Sequence, residues 1–294
     1  MKPFTTPSSR TRRMKRLRLP FTPATDNPSS SITLSVEIWT LDDQQAANVS
    51  VACVEDPVVA DASITQFALL AHPYGRLGGS SRDPVITCLA SYLVDRNWMV
   101  VLFDARGVGN STGRTSWTTV PETEDFQAIL DQLLKPIILR STLQSAGSAS
   151  STKTLTLLRA GYSHGALVAS ASTPIILPDS APKLQTPLLL ISYPVSYIWF
   201  LTSFHASRFQ AAFQTQLTST AYKVLFVYGD KDQFTHQKAY RRWISRLKQV
   251  LSPDLQHANR LSIVELSDTD HFWDGKYSML CQLIGTWLES PSDM

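Results

Sequence analysis

The stretch Thr154-Leu155-Thr156-Leu157-Leu158-Arg159-Ala160-Gly161-Tyr162-Ser163-His164-Gly165-Ala166-Leu167-Val168 decides how this chain folds. Thr154 to Arg159 reads as a strand, and the small residues from about Ala166 read as a helix. Between them, Gly161-Tyr162-Ser163-His164-Gly165 turns strand into helix within a few residues. Such a turn strains the serine backbone and lifts its hydroxyl clear of the main chain. Side chains two positions away on either side would collide with neighbouring elements, so glycines flank it. The helix starting there turns free N–H groups toward the space beside the hydroxyl, where negative charge is stabilised.

Further strands are expected on both sides of this turn. Ser31 to Trp39 alternates apolar and polar residues, and Val49 to Val54 reads as a second strand. Gln66 to Ala71, Trp98 to Phe103, Leu188 to Ile191, Val224 to Tyr228 and Leu261 to Leu266 are mostly continuous apolar runs, as strands buried on both faces are. Helices are expected over Pro84–Asn97, Glu122–Lys135 (with Pro136 as a stop or kink), His236–Leu251 and Tyr277–Glu289, and a flexible loop over 141–153. Strands alternating with helices predict a mostly parallel sheet covered on both faces. In such sheets reactive groups lie beyond the carboxyl ends of the strands.

Two such ends carry the residue types that can activate a serine. Val224 to Tyr228 runs into Gly229-Asp230-Lys231-Asp232, and Leu261 to Leu266 is followed by Ser267-Asp268-Thr269-Asp270-His271-Phe272-Trp273. A serine hydroxyl is a weak nucleophile at neutral pH unless a neighbouring base takes its proton. An imidazole can do so and later return the proton, and a carboxylate behind it holds the tautomer.

On these motifs the sequence resembles the α/β-hydrolase superfamily, over about Phe67 to Leu288. Within it the sequence resembles a branch of small intracellular serine hydrolases. The shared motifs are a His-Pro…Gly-Gly loop (His72 to Gly79), Gly-Arg-Thr-Ser-Trp (Gly113 to Trp117) and Asp-His-Phe-Trp (Asp270 to Trp273). The superfamily orders its triad nucleophile, acid, histidine. The resemblance therefore implies an α/β-hydrolase fold with Ser163 as nucleophile, Asp232 as acid (Asp230 the fallback) and His271 as base. It also implies an oxyanion hole from the main-chain N–H groups of Tyr74 and His164, with the His72 and His164 side chains packing the loops. The implied activity is cleavage of a small-molecule carboxylic ester or thioester, with no cofactor or metal. Acyl transfer, lyase or cyclase chemistry at the same site, or a non-catalytic binding role, are the alternatives.

Asp104 to Gly113 holds three glycines, but the third stands one position too far for Gly-x-Gly-x-x-Gly. This loop is expected to shape the site rather than bind phosphate. Phe200 with Phe204, and Phe209 with Phe213, stand four apart, as on one helix face; the resemblance implies that residues 193–222 are a cap-like insertion, with Trp199, Phe200 and Phe204 expected to contact substrate.

Composition narrows the rest. Of 294 residues, 43% are hydrophobic and 17% charged, which excludes an intrinsically disordered chain. Seven of the 27 Lys and Arg residues fall in the first 20 positions, where no acid stands, so the net +3 becomes −4 over residues 21–294. The body thus lacks the basic face of a nucleic-acid binder. Residues 1–30 read as a basic disordered arm preceding a domain over 31–290. The protein is expected in the cytoplasm, with mitochondrial targeting through the arm as the alternative. Gln185 to Phe204 is uncharged and long enough to span a bilayer, but Pro187 and Pro194 interrupt it; no integral span is expected.

Overall fold

The apolar runs lie side by side in one sheet. The structure is a computed structural model and describes residues 11–21, 32–42, 64–145, 154–219, 223–250 and 261–290. Among them nine strands pair: β1 (Thr11–Phe21), β2 (Ile32–Asp42), β3 (Gln66–Ala71), β4 (Met99–Asp104), β5 (Leu155–Tyr162), β6 (Leu184–Gln185), β7 (Leu188–Ile191), β8 (Val224–Gly229) and β9 (Leu261–Leu266). Their order is β1-β2-β4-β3-β5-β7-β8-β9, with β6 beside β5. β1 and β2 run antiparallel to their neighbours, and the strands from β4 to β9 are parallel. β5, which carries the deciding turn, is thus central.

Side-chain alternation splits the core in two. Ala68, Leu70, Val100, Leu102, Leu158, Leu189 and Leu225 face α1 (Pro84–Val94) and α8 (Tyr277–Glu289). Phe67, Leu69, Val101, Leu157, Leu190 and Phe226 face the other layer. That layer holds α2 (Val120–Ala128), α3 (Lys135–Ser145), α4 (His164–Ala171), α6 (Ala206–Ser219) and α7 (Gln237–Val250), with the short α5 (Ile198–Leu201) at its edge. Burying both faces suits these short, mostly apolar strands and makes the parallel sheet the stable arrangement.

Three expectations need correction. The arm expected to be disordered is, over residues 11–21, strand β1 at the sheet edge. Arg12, Met14, Arg16 and Arg18 alternate with the half-buried Lys15, Leu17 and Leu19, a period of two that carries a strand where a helix reading finds only a thin apolar face. Arg12 pairs with Asp95 at 2.6 Å and Arg16 with Glu37 at 2.8 Å. A charged edge strand also discourages pairing with other chains.

The second concerns Pro136, expected to stop or kink its helix: of the two, the stop does not occur. Residues Ile129–Leu134 form a π-helical segment between α2 and α3, in which the Lys135 N–H donates to the Leu130 carbonyl. The wider turn shifts the bonding register just where proline lacks a donor. Third, residues 141–145 are the end of α3 rather than loop; the expected strand Val49 to Val54 and the rest of that loop lie outside the described residues. Gln185 to Phe204 folds as short sheet and helix segments, and no helix among the described residues is long and apolar enough to cross a membrane.

The loop after β4 is anchored to α2. Arg106 Nε and Nη2 donate to Asp125 Oδ2 and Oδ1 at 2.8 and 2.5 Å, both side chains being buried. Glu122 accepts from the Ser116 N–H and hydroxyl at 2.6 and 2.5 Å. The Arg106–Asp125 pair and the hydrogen-bonded Glu122 carboxylate fix the 104–119 loop against α2.

Candidate active site

The site assembles at the carboxyl ends of β3, β5, β8 and β9. Ser163 sits between β5 and α4 with φ 56° and ψ −120°, a strained conformation of the kind found at functional turns. A Cβ on Gly161 would run into the Gly165 main chain, and one on Gly165 into that of Ala71 and His72. The flanking glycines are therefore required by close backbone approach.

His271 stands on the loop after β9. Its Nε2 lies 3.1 Å from Ser163 Oγ, and its Nδ1 lies 2.7 Å from Asp232 Oδ2. The imidazole is held from several sides. The His271 N–H donates to Gln233 Oε1 at 3.0 Å, the Tyr162 hydroxyl donates to the His271 carbonyl at 2.8 Å, and the Phe234 ring packs 4.5 Å away. Asp232 is buried and uses every acceptor position: Oδ1 takes the N–H groups of Phe234 and Thr235 at 2.8 Å each, and Oδ2 takes the Tyr240 hydroxyl at 3.0 Å besides His271. Asp230, the other candidate, instead accepts weakly from the Thr269 N–H at 3.4 Å.

The two expected oxyanion donors, Tyr74 and His164, line the same cavity as Ser163. Tyr74 precedes a 3₁₀ turn (Gly75–Leu77), and its carbonyl accepts from the Leu77 and Gly79 N–H groups. Among the described residues neither the Tyr74 nor the His164 main-chain N–H has a main-chain acceptor, so both donors remain available. The Tyr74 and His164 rings meet at 4.7 Å, tilted by 43°, and both side chains are tied to the loop after β4. The Tyr74 hydroxyl donates to the Ser116 carbonyl at 3.2 Å, and His164 Nε2 meets Thr119 Oγ1 at 3.0 Å. The Thr119 hydroxyl donates to the Leu201 carbonyl at 2.6 Å, so its oxygen accepts and His164 carries its proton on Nε2. His72 Nε2 accepts from the Ala105 N–H at 2.9 Å, which leaves Nδ1 to donate to the Pro73 carbonyl at 2.6 Å. Both histidines thus act as neutral braces. Tyr240, Gln233, Tyr162 and Thr119 escaped the sequence reading. Only Gly113 to Trp117, a motif with no role assigned to its residues, pointed toward the Thr119 loop.

These braces carry a pH signature. Burial pushes His164 down to about 3, with His72 adding to the effect; burial also lowers His72, against the bond to Pro73. Unfolded histidines take up protons near pH ~6.5. Unfolding therefore gains protons below that pH, and stability must fall as the pH drops, by about 1.4 kcal/mol per pH unit for each fully depressed histidine. For His164 the window runs from ~6.5 down to about 3. Urea unfolding midpoints measured through mildly acid pH should show this slope, and His164→Gln should make it shallower. Superimposable slopes would mean His164 does not titrate this way.

A cavity of about 820 Å³ opens over Ser163 and His271. Trp199 and Phe200 line it, together with Tyr74, Trp117, Tyr197 and Phe234. Phe204 does not: it is 86% exposed, which corrects its expected place as a substrate contact. The turn carrying it points it outward instead. Phe209 and Phe213 are core residues of α6.

No family model matches the chain. It is 25% identical over 230 residues to an uncharacterised protein of Schizosaccharomyces pombe, covering 78% of this chain and 88% of that one. Among solved structures it resembles an α/β serine hydrolase without lid from Xanthomonas campestris (TM-score 0.54, 21% identity, 94% and 97% of the two chains covered). It also resembles an α/β serine hydrolase homologue from Coxiella burnetii (0.54, 19%, 93% and 97%) and an esterase from Pyrococcus furiosus (0.54, 15%, 93% and 92%).

Proposed function

We propose, for a chain that has the α/β-hydrolase fold, that it is a serine hydrolase cleaving a carboxylic ester or thioester through an acyl-enzyme on Ser163. One observation carries the reading. Ser163 Oγ, His271 and Asp232 form an unbroken hydrogen-bonded line, 3.1 Å and then 2.7 Å, at the floor of an open cavity. Fold alone does not specify chemistry; this line is what supports it.

The steps follow from the geometry. His271 Nε2 takes the Ser163 proton as Oγ attacks the acyl carbon. Asp232 holds the proton on Nδ1 and stabilises the imidazolium. The carbonyl oxygen becomes an oxyanion between the main-chain N–H groups of Tyr74 and His164, donors of a kind worth about 3–4 kcal/mol each in such sites. The imidazolium then protonates the departing alcohol or thiol. Water repeats the sequence on the acyl-enzyme and releases the acid. Trp199 and Phe200, within the segment expected as a cap, form an apolar wall for the acyl or alcohol group.

A fluorophosphonate probe tests this directly, since it traps an activated serine and needs no knowledge of the substrate. The folded protein should be labelled at Ser163 and should hydrolyse activated esters or acyl thioesters with a clear chain-length preference. Folded protein that neither labels nor turns over any of the series would sink the reading.

A further inference from the structure

Around the cavity mouth the protein leaves large apolar side chains uncovered. Leu77 is 75% exposed and Phe204 86%, and Trp117, Trp199, Phe200 and Phe272 are close to half exposed. All but Phe204 line the cavity, and the Phe204 ring stands 6.5 Å from that of Trp199. Scattered exposed apolar groups are ordinary, but a continuous rim marks a surface that something covers.

The rim is held in place. Ser203 and Phe204 have φ values of 42° and 72°, a conformation that a bulky side chain rarely adopts. The Phe204 N–H donates to the Trp199 carbonyl at 3.1 Å, and the Ser203 hydroxyl donates to the Trp117 carbonyl at 2.7 Å. This strained turn is therefore pinned to the loop carrying Trp117, and it keeps Phe204 out of the cavity. Arg76 lies over the Trp117 ring at 3.9 Å, with Nη2 donating to the Thr115 carbonyl at 2.8 Å. Among the described residues Arg76 has no ion-pair partner. Among the described residues Asp83 is the one carboxylate lining the cavity, and its Oδ1 already accepts from the Val85 N–H.

We propose that this rim docks on a phospholipid surface, so that the cavity mouth opens against the acyl layer. Trp and Phe side chains sit well at the boundary between headgroups and hydrocarbon, and an arginine among them can reach lipid phosphates. A protein partner over the same rim would close the entrance to the cavity, whereas a lipid layer offers amphiphilic acyl esters to it. That last point rests on the proposed ester hydrolysis; docking itself does not.

Flotation of the full-length protein with vesicles of phosphatidylcholine and phosphatidylglycerol tests the proposal. The protein should float with the vesicles, and its tryptophan emission should shift to the blue on binding. Phe204→Asp should weaken binding about tenfold or more, whereas Phe204→Leu should keep most of it. Phe204 lies outside the cavity, so Phe204→Asp should hydrolyse soluble short-chain esters like the parent. Failure of the parent protein to float, or equal binding by Phe204→Asp, would overturn the proposal. So would a dimer dissolved by Phe204→Asp with no vesicle binding, which would give the rim to a second copy of the chain. Vesicle binding that depends on Phe204, in a protein inert toward esters, would leave docking standing and remove the hydrolase reading alone.

Discussion

Ser163→Ala should abolish hydrolysis of an activated ester, lowering kcat on the order of 10⁴- to 10⁶-fold, because a triad acts as a unit. What remains should be the catalysis provided by the two main-chain donors and by substrate binding. The substitution removes one oxygen, whose partner is His271 Nε2 at 3.1 Å. It keeps the side chain small, so Gly161 and Gly165 retain their close approach and the fold should be undisturbed. Far-UV circular dichroism and a urea melt would establish that the protein is folded. Turnover close to the parent's in a folded sample would mean that another nucleophile does the chemistry.

Asp232→Asn should lower kcat about 10⁴-fold, with little loss of stability. The reason is tautomeric. Oδ1 is committed to the Phe234 and Thr235 N–H groups at 2.8 Å each, so the amide oxygen will take that position and the NH₂ will face His271 Nδ1. Two donors cannot share that contact, so the imidazole must move its proton to Nε2. A protonated Nε2 cannot accept the Ser163 proton. Tyr240, which donates to Oδ2 at 3.0 Å, can turn its hydroxyl to accept from the amide. Asp230→Asn is the contrast. Its carboxylate meets a single N–H at 3.4 Å and does not reach the imidazole, so its kcat should stay near the parent's. Equal losses in the two variants would show that the loop, rather than the Asp232–His271 bond, matters.

How much of this was legible in the sequence depends on the range over which each feature is determined. Strand and helix follow from neighbours a few residues away, and most boundaries fell close to expectation: β7 and β9 matched, and α8 spans Tyr277–Glu289 as expected. The β5–α4 turn was equally local, because the small residues at 161 and 165 and the serine between them specify one tight connection. The misses came where a local rule met a distant partner. Residues 11–21 look like an unstructured basic arm until β2 provides hydrogen bonds, and Glu37 and Asp95 accept from their arginines. Pro136 stops a helix in isolation, but a π-helical segment absorbed it once the Ile129–Leu134 face was packed into the core.

The amino-acid sequence by itself determined the alternation of elements, the α/β class, and the chain order of serine, acid and histidine, since side-chain period and turn chemistry are local. Only the tertiary structure set Asp232, rather than Asp230, against His271 Nδ1, tied His164 to Thr119 and Leu201, and turned Phe204 out of the cavity onto its rim. Those outcomes depend on contacts such as the one between Ser163 and His271, 108 residues apart. They come from the order in which strands join a sheet and from strain at single turns, neither of which is written in any short window of the chain.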